Sequence, residues 1–269
     1  MTKQRMQVMV ALVVCSVVGV LNGFCADAAK LPAKKSEPYD LSADAKRKAA
    51  MSQEEAAWEL VLEQNLGGLY LPLYKKAKLA GREHDFDFVK DQPSLPRVLL
   101  IGDSISKGYT LPVRHTLAGK ANVHRAPGNC GSSEMGVNKL SIWLGEGKWD
   151  IIHFNFGIWD RKTKDEVYAA NLEKIVEKLE KTGAKLVWAR TTPPASGNNN
   201  EKYTPAQCER INRIADAIMK KHSIAIDDLC AVVAPKLAEL QQTNNVHFNE
   251  AGYTVLGNQV ASEILARVK

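Results

Sequence analysis

Ser104 closes the run Val98-Leu99-Leu100-Ile101-Gly102-Asp103-Ser104, and His247 follows 143 residues later within Asn244-Asn245-Val246-His247-Phe248. A serine hydroxyl is a weak nucleophile until a base takes its proton during attack. An imidazole titrates near pH ~6.5, so it can accept that proton and later return it to a leaving group. The two residues together spell nucleophilic acyl transfer, with Ser104 attacking and His247 as base and then acid. Each has a plainer alternative: a serine after a strand often caps the next helix, and a loop histidine is often only surface. The other five histidines, His84, His115, His124, His153 and His222, are expected to be structural or exposed, with His153 inside a strand as a satisfied core group.

For that chemistry the chain must bring its first strand and its last loop together. The apolar run before Gly102 shows no alternation, which predicts a strand buried on both faces, as in a parallel sheet. Ligands in such sheets bind beyond the carboxyl ends of the strands, where Ser104 stands. Strands are predicted at Arg97 to Gly102, Asn122 to Arg125, Asp150 to Phe156, Ala184 to Ala189 and from Ile224. Helices are predicted between them at about Ser106 to Leu117, Ser132 to Leu144, Lys164 to Lys181 and Thr204 to Lys221. Two more, about Cys230 to Gln241 and Asn249 to Val268, follow the last strand. Thr204 reads as an N-cap with Pro205 at the first helical position. Alternating strands and helices predict a parallel sheet covered on both sides, with right-handed crossovers.

The 269 residues are 45% hydrophobic and 25% charged, enough for one α/β domain with a substantial core. Residues 1–28 read as a signal peptide: Lys3 and Arg5, an apolar run from Val8 to Leu21, then Ala26-Asp27-Ala28, with cleavage after Cys25 as a second option. The apolar run is shorter than the ~20 residues of a spanning helix, so a secreted or periplasmic protein without stable membrane insertion is expected. Residues 29–95 read as a linker and an N-terminal helical segment, with a capping box at Ser52-Gln53-Glu54-Glu55 opening a helix that ends near Gly67. Residues 96–269 form the predicted domain. The formal charge of +6 is spread without a basic tract, so no nucleic-acid face is expected. Cys130, Cys208 and Cys230 lack metal-ligand spacing, so no metal is expected; their disulfide pairing and the oligomeric state stay open.

From Arg97 to Val268 the chain resembles the SGNH, or GDSL-type, hydrolases. The resemblance rests on Gly102-Asp103-Ser104 after the first strand, Gly131 after the second, Gly157 after the third and His247 before the last helix, in that order. It implies a flavodoxin-like three-layer α/β sandwich on a five-stranded parallel sheet, and an esterase or lipase without cofactor. It also implies an oxyanion hole built from the backbone N–H groups of Ser104 and Gly131. Two positions depart from the family pattern. Trp159 in Gly157-Ile158-Trp159-Asp160 stands where the family has asparagine; its indole N–H can donate one hydrogen bond, its ring can carry a sugar, or it can simply pack. Asn244, three residues before His247, stands where the family has aspartate, and can orient the imidazole but not balance its charge.

Asp103 is expected to brace the turn. Arg190 is the charged group best placed to meet an acidic substrate, with a structural salt bridge as the alternative. The reading is a secreted esterase acting on an O-acyl, in particular O-acetyl, ester of a polysaccharide or small molecule. The alternatives are an inactive carbohydrate-binding protein that keeps the fold, or a lysophospholipase-like enzyme.

Overall fold

The computed structural model describes residues 39–195 and 203–268; the expected signal peptide and the tip of the loop after the fourth strand lie outside the described residues. Residues Val98 to Ile101 are all buried. They form strand β1 (Arg97–Ile101), with Val98 and Leu100 entering one core and Leu99 and Ile101 the other. This two-sided burial is why the run carries no polar alternation. The remaining strands are β2 (Asn122–Arg125), β3 (Ile151–Phe154), β4 (Lys185–Ala189) and β5 (Ala225–Asp227). All neighbours pair in parallel, in the order β2-β1-β3-β4-β5.

Three helices precede the sheet: α1 (Leu41–Ala49), α2 (Gln53–Asn65) and α3 (Gly67–Leu79). The Ser52 capping box opens α2 as predicted. Helices α1 and α3 were not anticipated, because Leu41 to Ala49 is largely polar and Gly67, read as a stop, begins the next helix. Leu62, Leu66, Tyr74 and Phe86 make a small core beneath these helices.

Helix α4 (Ser104–Thr116) follows β1, α5 (Ser133–Leu144) follows β2, α6 (Asp165–Glu180) follows β3 and α7 (Pro205–Lys221) follows β4. The last has the predicted Thr204 cap, reinforced by Gln207 in a capping box. After β5 the expected single helix is broken into α8 (Leu229–Val233), a 3-10 turn at Ala234–Lys236 and α9 (Leu237–Leu240). Pro235 explains the break, since it cannot donate the helical hydrogen bond at its position. Helix α10 (Glu250–Val268) ends the described chain.

The layers follow from which residues share a core. Leu99, Ile152, Phe154 and Trp188 pack with Leu140 of α5, Leu172 and Ile175 of α6 and Ile211 of α7. Val98, Leu100, Ile151 and Val187 pack on the other face with Val113 of α4, Val233 of α8 and Leu256 and Val260 of α10. The molecule is thus a three-layer sandwich with a parallel five-stranded sheet. The chain runs from β1 to β2 on one side, then crosses to β3 on the other side of β1. That reversal opens a crevice at the carboxyl ends of β1 and β3, where ligands bind in sheets of this order.

Candidate active site

Ser104 is the first residue of α4, and its neighbour Asp103 is the cap: Asp103 Oδ1 accepts the Ile105 N–H at 2.9 Å. The serine side chain is therefore not spent on capping. The turn is held from beneath by Arg125, a fully buried residue at the end of β2. Its guanidinium donates to the carbonyls of Gly102 and Asp103, both at 3.0 Å, and to Ser106 Oγ at 2.8 Å. Burial pushes the Asp103 carboxyl above the usual carboxylate range, against the Ile105 N–H and the Arg125 charge.

Across the crevice, Ser104 Oγ lies 2.8 Å from His247 Nε2. The imidazole Nδ1 lies 2.7 Å from Asn245 Oδ1, which also accepts the His247 backbone N–H at 3.2 Å. An amide oxygen accepts only, so Nδ1 carries the proton and Nε2 is left to accept from the serine. The orienting partner is thus Asn245, where Asn244 was expected. Asn244, immediately before it, has a left-handed backbone, φ 54°. Gln241 fixes this loop: its amide accepts the Ala195 N–H at 2.7 Å and donates to the carbonyls of Pro193 (2.8 Å) and Val246 (3.3 Å).

Gly131 sits in the loop between β2 and α5 at φ 59°, a conformation that favours glycine. The preceding Cys130 N–H donates to Gly102 O at 3.2 Å, so the loop abuts the serine's turn. Among the described residues neither the Gly131 N–H nor the Ser104 N–H has a hydrogen-bond acceptor. Both can serve an incoming oxyanion, aided by the positive end of the α4 dipole.

The third loop approaches closely. A Cβ on Gly157 would lie 2.0 Å from Thr191 Oγ1, so only glycine lets β3 and β4 end side by side here. Asn155 ties the same strands, donating to Ala189 O at 2.7 Å and Thr191 Oγ1 at 3.0 Å. A 3-10 turn at Ile158–Asp160 follows. Trp159 is 51% exposed on it, and its indole N–H has no partner among the described residues. Asp160 points inward to Ser133.

These elements enclose a cavity of about 200 Å³ around Ser104 and His247, walled by Ile158, Val246, Tyr203 and Trp159, with Asp103 at its base and Arg161 at its rim. Arg190 is not on this wall. Its guanidinium is taken by Asp228 at 2.7 Å and Asp216 at 2.9 Å: of the two expected roles it has the structural salt bridge, not the meeting with substrate. Sequence reasoning missed Arg125, Arg161 and Asp160. Only Asp160 had a signal, its place in the third-loop motif. No group of three or more metal-ligating side chains occurs among the described residues.

Comparisons with known proteins give the family and the fold. Residues 100–255 match the model of the GDSL-like lipase/acylhydrolase family. No curated protein matches the chain in sequence. Among solved structures, a lipase/acylhydrolase from Enterococcus faecalis superposes with a TM-score of 0.58 at 22% identity, covering 65% of this chain and 98% of that one. An acetylxylan esterase from Geobacillus stearothermophilus superposes with a TM-score of 0.54 at 16% identity, covering 63% and 94%.

Proposed function

Because the chain belongs to the GDSL-like lipase/acylhydrolase family, and is therefore a carboxylic ester hydrolase, we propose that it is a secreted serine esterase removing small acyl groups, acetyl above all, from carbohydrate. The observation that carries the mechanism is the 2.8 Å contact between Ser104 Oγ and His247 Nε2. His247 takes the serine proton as Oγ attacks the ester carbonyl. The oxyanion is received by the backbone N–H groups of Ser104 and Gly131; one such donor is worth ~3 kcal/mol of barrier. The imidazolium then protonates the departing sugar oxygen. Water, activated by the same imidazole, releases the acyl group from Ser104. Asn245 keeps the ring in the right tautomer through both steps, so the machinery is a Ser–His dyad with an amide support.

Two features favour a small acyl group on a sugar. The cavity of about 200 Å³ lies below the ~300 Å³ at which drug-sized pockets begin, which suits acetyl better than a long acyl chain. The exposed Trp159 offers a flat apolar face at its mouth, fit for a sugar ring. Residues 1–28 carry the export reading.

The test is expression of the full chain with its leader, N-terminal analysis of the exported product, and acetate release from p-nitrophenyl acetate and acetylated xylan by that product and by Ser104→Ala. Release that vanishes in the variant supports the esterase. Equal background rates for both proteins would sink the mechanism, and a retained leader would sink the export reading.

A further inference from the structure

We propose that Arg161 is a specificity-determining residue that reads a carboxylate on the substrate, so that the preferred ester sits on an acidic sugar. The inference rests on the esterase reading of Ser104 and names the substrate class of that site.

Arg161 lies at the rim of the cavity that holds Ser104 and His247. Its backbone is pinned: the carbonyl accepts from Arg210 Nη2 at 2.9 Å and from Gln207 Nε2 at 3.4 Å. Its side chain is underused. Nη1 donates to the Ile158 carbonyl at 3.0 Å, while the buried Nε has no hydrogen-bond partner. No carboxylate among the described residues lies within ion-pair distance of it. The nearby cations differ. Arg190 is held by Asp216 and Asp228, and Arg210 by Asp165. The adjacent acid, Asp160, is turned the other way, into hydrogen bonds with Ser133 and Thr163.

A half-buried guanidinium without a counter-charge, fixed on a pinned turn beside a nucleophile, is a ready receptor for an anion. Its Nη2 donates to no described residue and can give a carboxylate a charge-assisted hydrogen bond. Trp159 stands two residues earlier on the same turn and supplies a ring platform. A sugar stacked on Trp159, with its acyl ester toward Ser104 and its carboxylate toward Arg161, uses all three groups at once. The formal charge, +5 once residues 1–28 are removed, adds long-range attraction for a polyanionic chain.

The test compares kcat/KM for acetylated polygalacturonate, acetylated glucomannan and p-nitrophenyl acetate in the wild type, Arg161→Gln and Arg161→Lys, with thermal melts to control for folding. The expected result is a preference for the acidic polymer. Arg161→Gln lowers the acidic-to-neutral ratio ~10-fold or more, as loss of a charge-assisted hydrogen bond implies. Arg161→Lys restores part of it, and added salt erodes it. An unchanged ratio in Arg161→Gln overturns the proposal while leaving the esterase intact. Preference for an O-sulfated acetyl ester over the carboxylated one overturns the carboxylate assignment. If no ester gives Ser104-dependent release, the esterase reading fails separately. Binding of oligogalacturonate to Ser104→Ala, measured by calorimetry, then still decides: affinity must exceed that for a neutral oligosaccharide and fall in the added Arg161→Gln variant, or the proposal falls as well.

Discussion

Asp160 accepts two hydrogen bonds from Ser133, one from the backbone N–H at 2.8 Å and one from the hydroxyl at 2.7 Å. Through this pair the first residue of α5 and the turn carrying Trp159 and Arg161 become one unit. Burial pushes the Asp160 carboxyl upward, while the Ser133 hydrogen bonds hold it down. Removing the carboxylate leaves a buried N–H without an acceptor. Asp160→Ala is expected to cost ~1–3 kcal/mol of stability in urea unfolding. It should also lower kcat/KM on p-nitrophenyl acetate, because the cavity wall loses its anchor. Unchanged values for both would show that the turn holds its shape without Asp160.

The histidine support is separable from its neighbour. Asn245→Ala removes the acceptor of Nδ1–H and is expected to lower kcat ~10-fold or more, with little change in KM. Asn245→Asp places a charge beside the imidazolium and is expected to raise kcat, in the direction opposite to the loss seen when a triad aspartate becomes asparagine. Asn244→Ala acts differently: it forces alanine into a left-handed backbone, φ 54°, at a cost of ~1–2 kcal/mol of stability, a backbone cost that Asn244→Gly avoids. Steady-state kinetics beside thermal melts distinguish the two positions.

Arg125 underpins the nucleophile without touching the cavity. Arg125→Met strands the Gly102 and Asp103 carbonyls and removes a charge 3.6 Å from Asp85. The expected loss is ~3 kcal/mol or more in urea unfolding. Any protein that remains folded should show a lower kcat, since the Ser104 turn relaxes. Full activity in a stable Arg125→Met protein would refute this role.

His222, just beyond α7, reaches α6 through Nε2 to Glu173 at 2.7 Å and Nδ1 to Glu180 at 2.9 Å. The hydrogen bond to Glu173 is the main cause that raises its pKa above the ordinary histidine value. A raised folded-state pKa stabilises the fold fully below the unfolded value of about 6.5, and that contribution is lost as pH rises through the folded value. His222→Asn should therefore lower Tm more at pH 5.5 than at pH 8.5. The difference should correspond to ~1 kcal/mol or less, as expected for a surface pair. Equal shifts at both pH values would contradict the linkage.

What the sequence disclosed, and what it hid, divides along a physical line. Residues buried on both faces of a strand leave a continuous apolar mark, so β1 and β3 were legible. Caps leave a local one, so the Thr204 start of α7 was found to the residue. Pro235 stands in the sequence as well, but the predicted helix from about Cys230 to Gln241 ran through it without a break. Arg125 and Arg161 were illegible, because a charged residue in sequence does not say whether its counter-charge is near; Asp160 stood in the third-loop motif, but its partner Ser133 lies on another element. Arg190 shows the converse: the sequence left substrate contact and a structural salt bridge both open, and Asp216 and Asp228, far along the chain, hold it in the latter. Asn244 was named from the family's three-residue spacing to the histidine, whereas the side chain that meets Nδ1 is that of the next residue, Asn245.

The two helices that follow the dyad's loops, α4 after Asp103 and α10 after His247, pack side by side. Val113 meets the core shared with Leu256 and Val260, and Thr116 donates to Asn258 at 3.1 Å. Synthesis runs from the N-terminus, so the serine and all five strands exist before the histidine and α10 do. On the proposed mechanism, a nascent chain carries an idle hydroxyl rather than a working nucleophile until His247 is made and reaches Ser104.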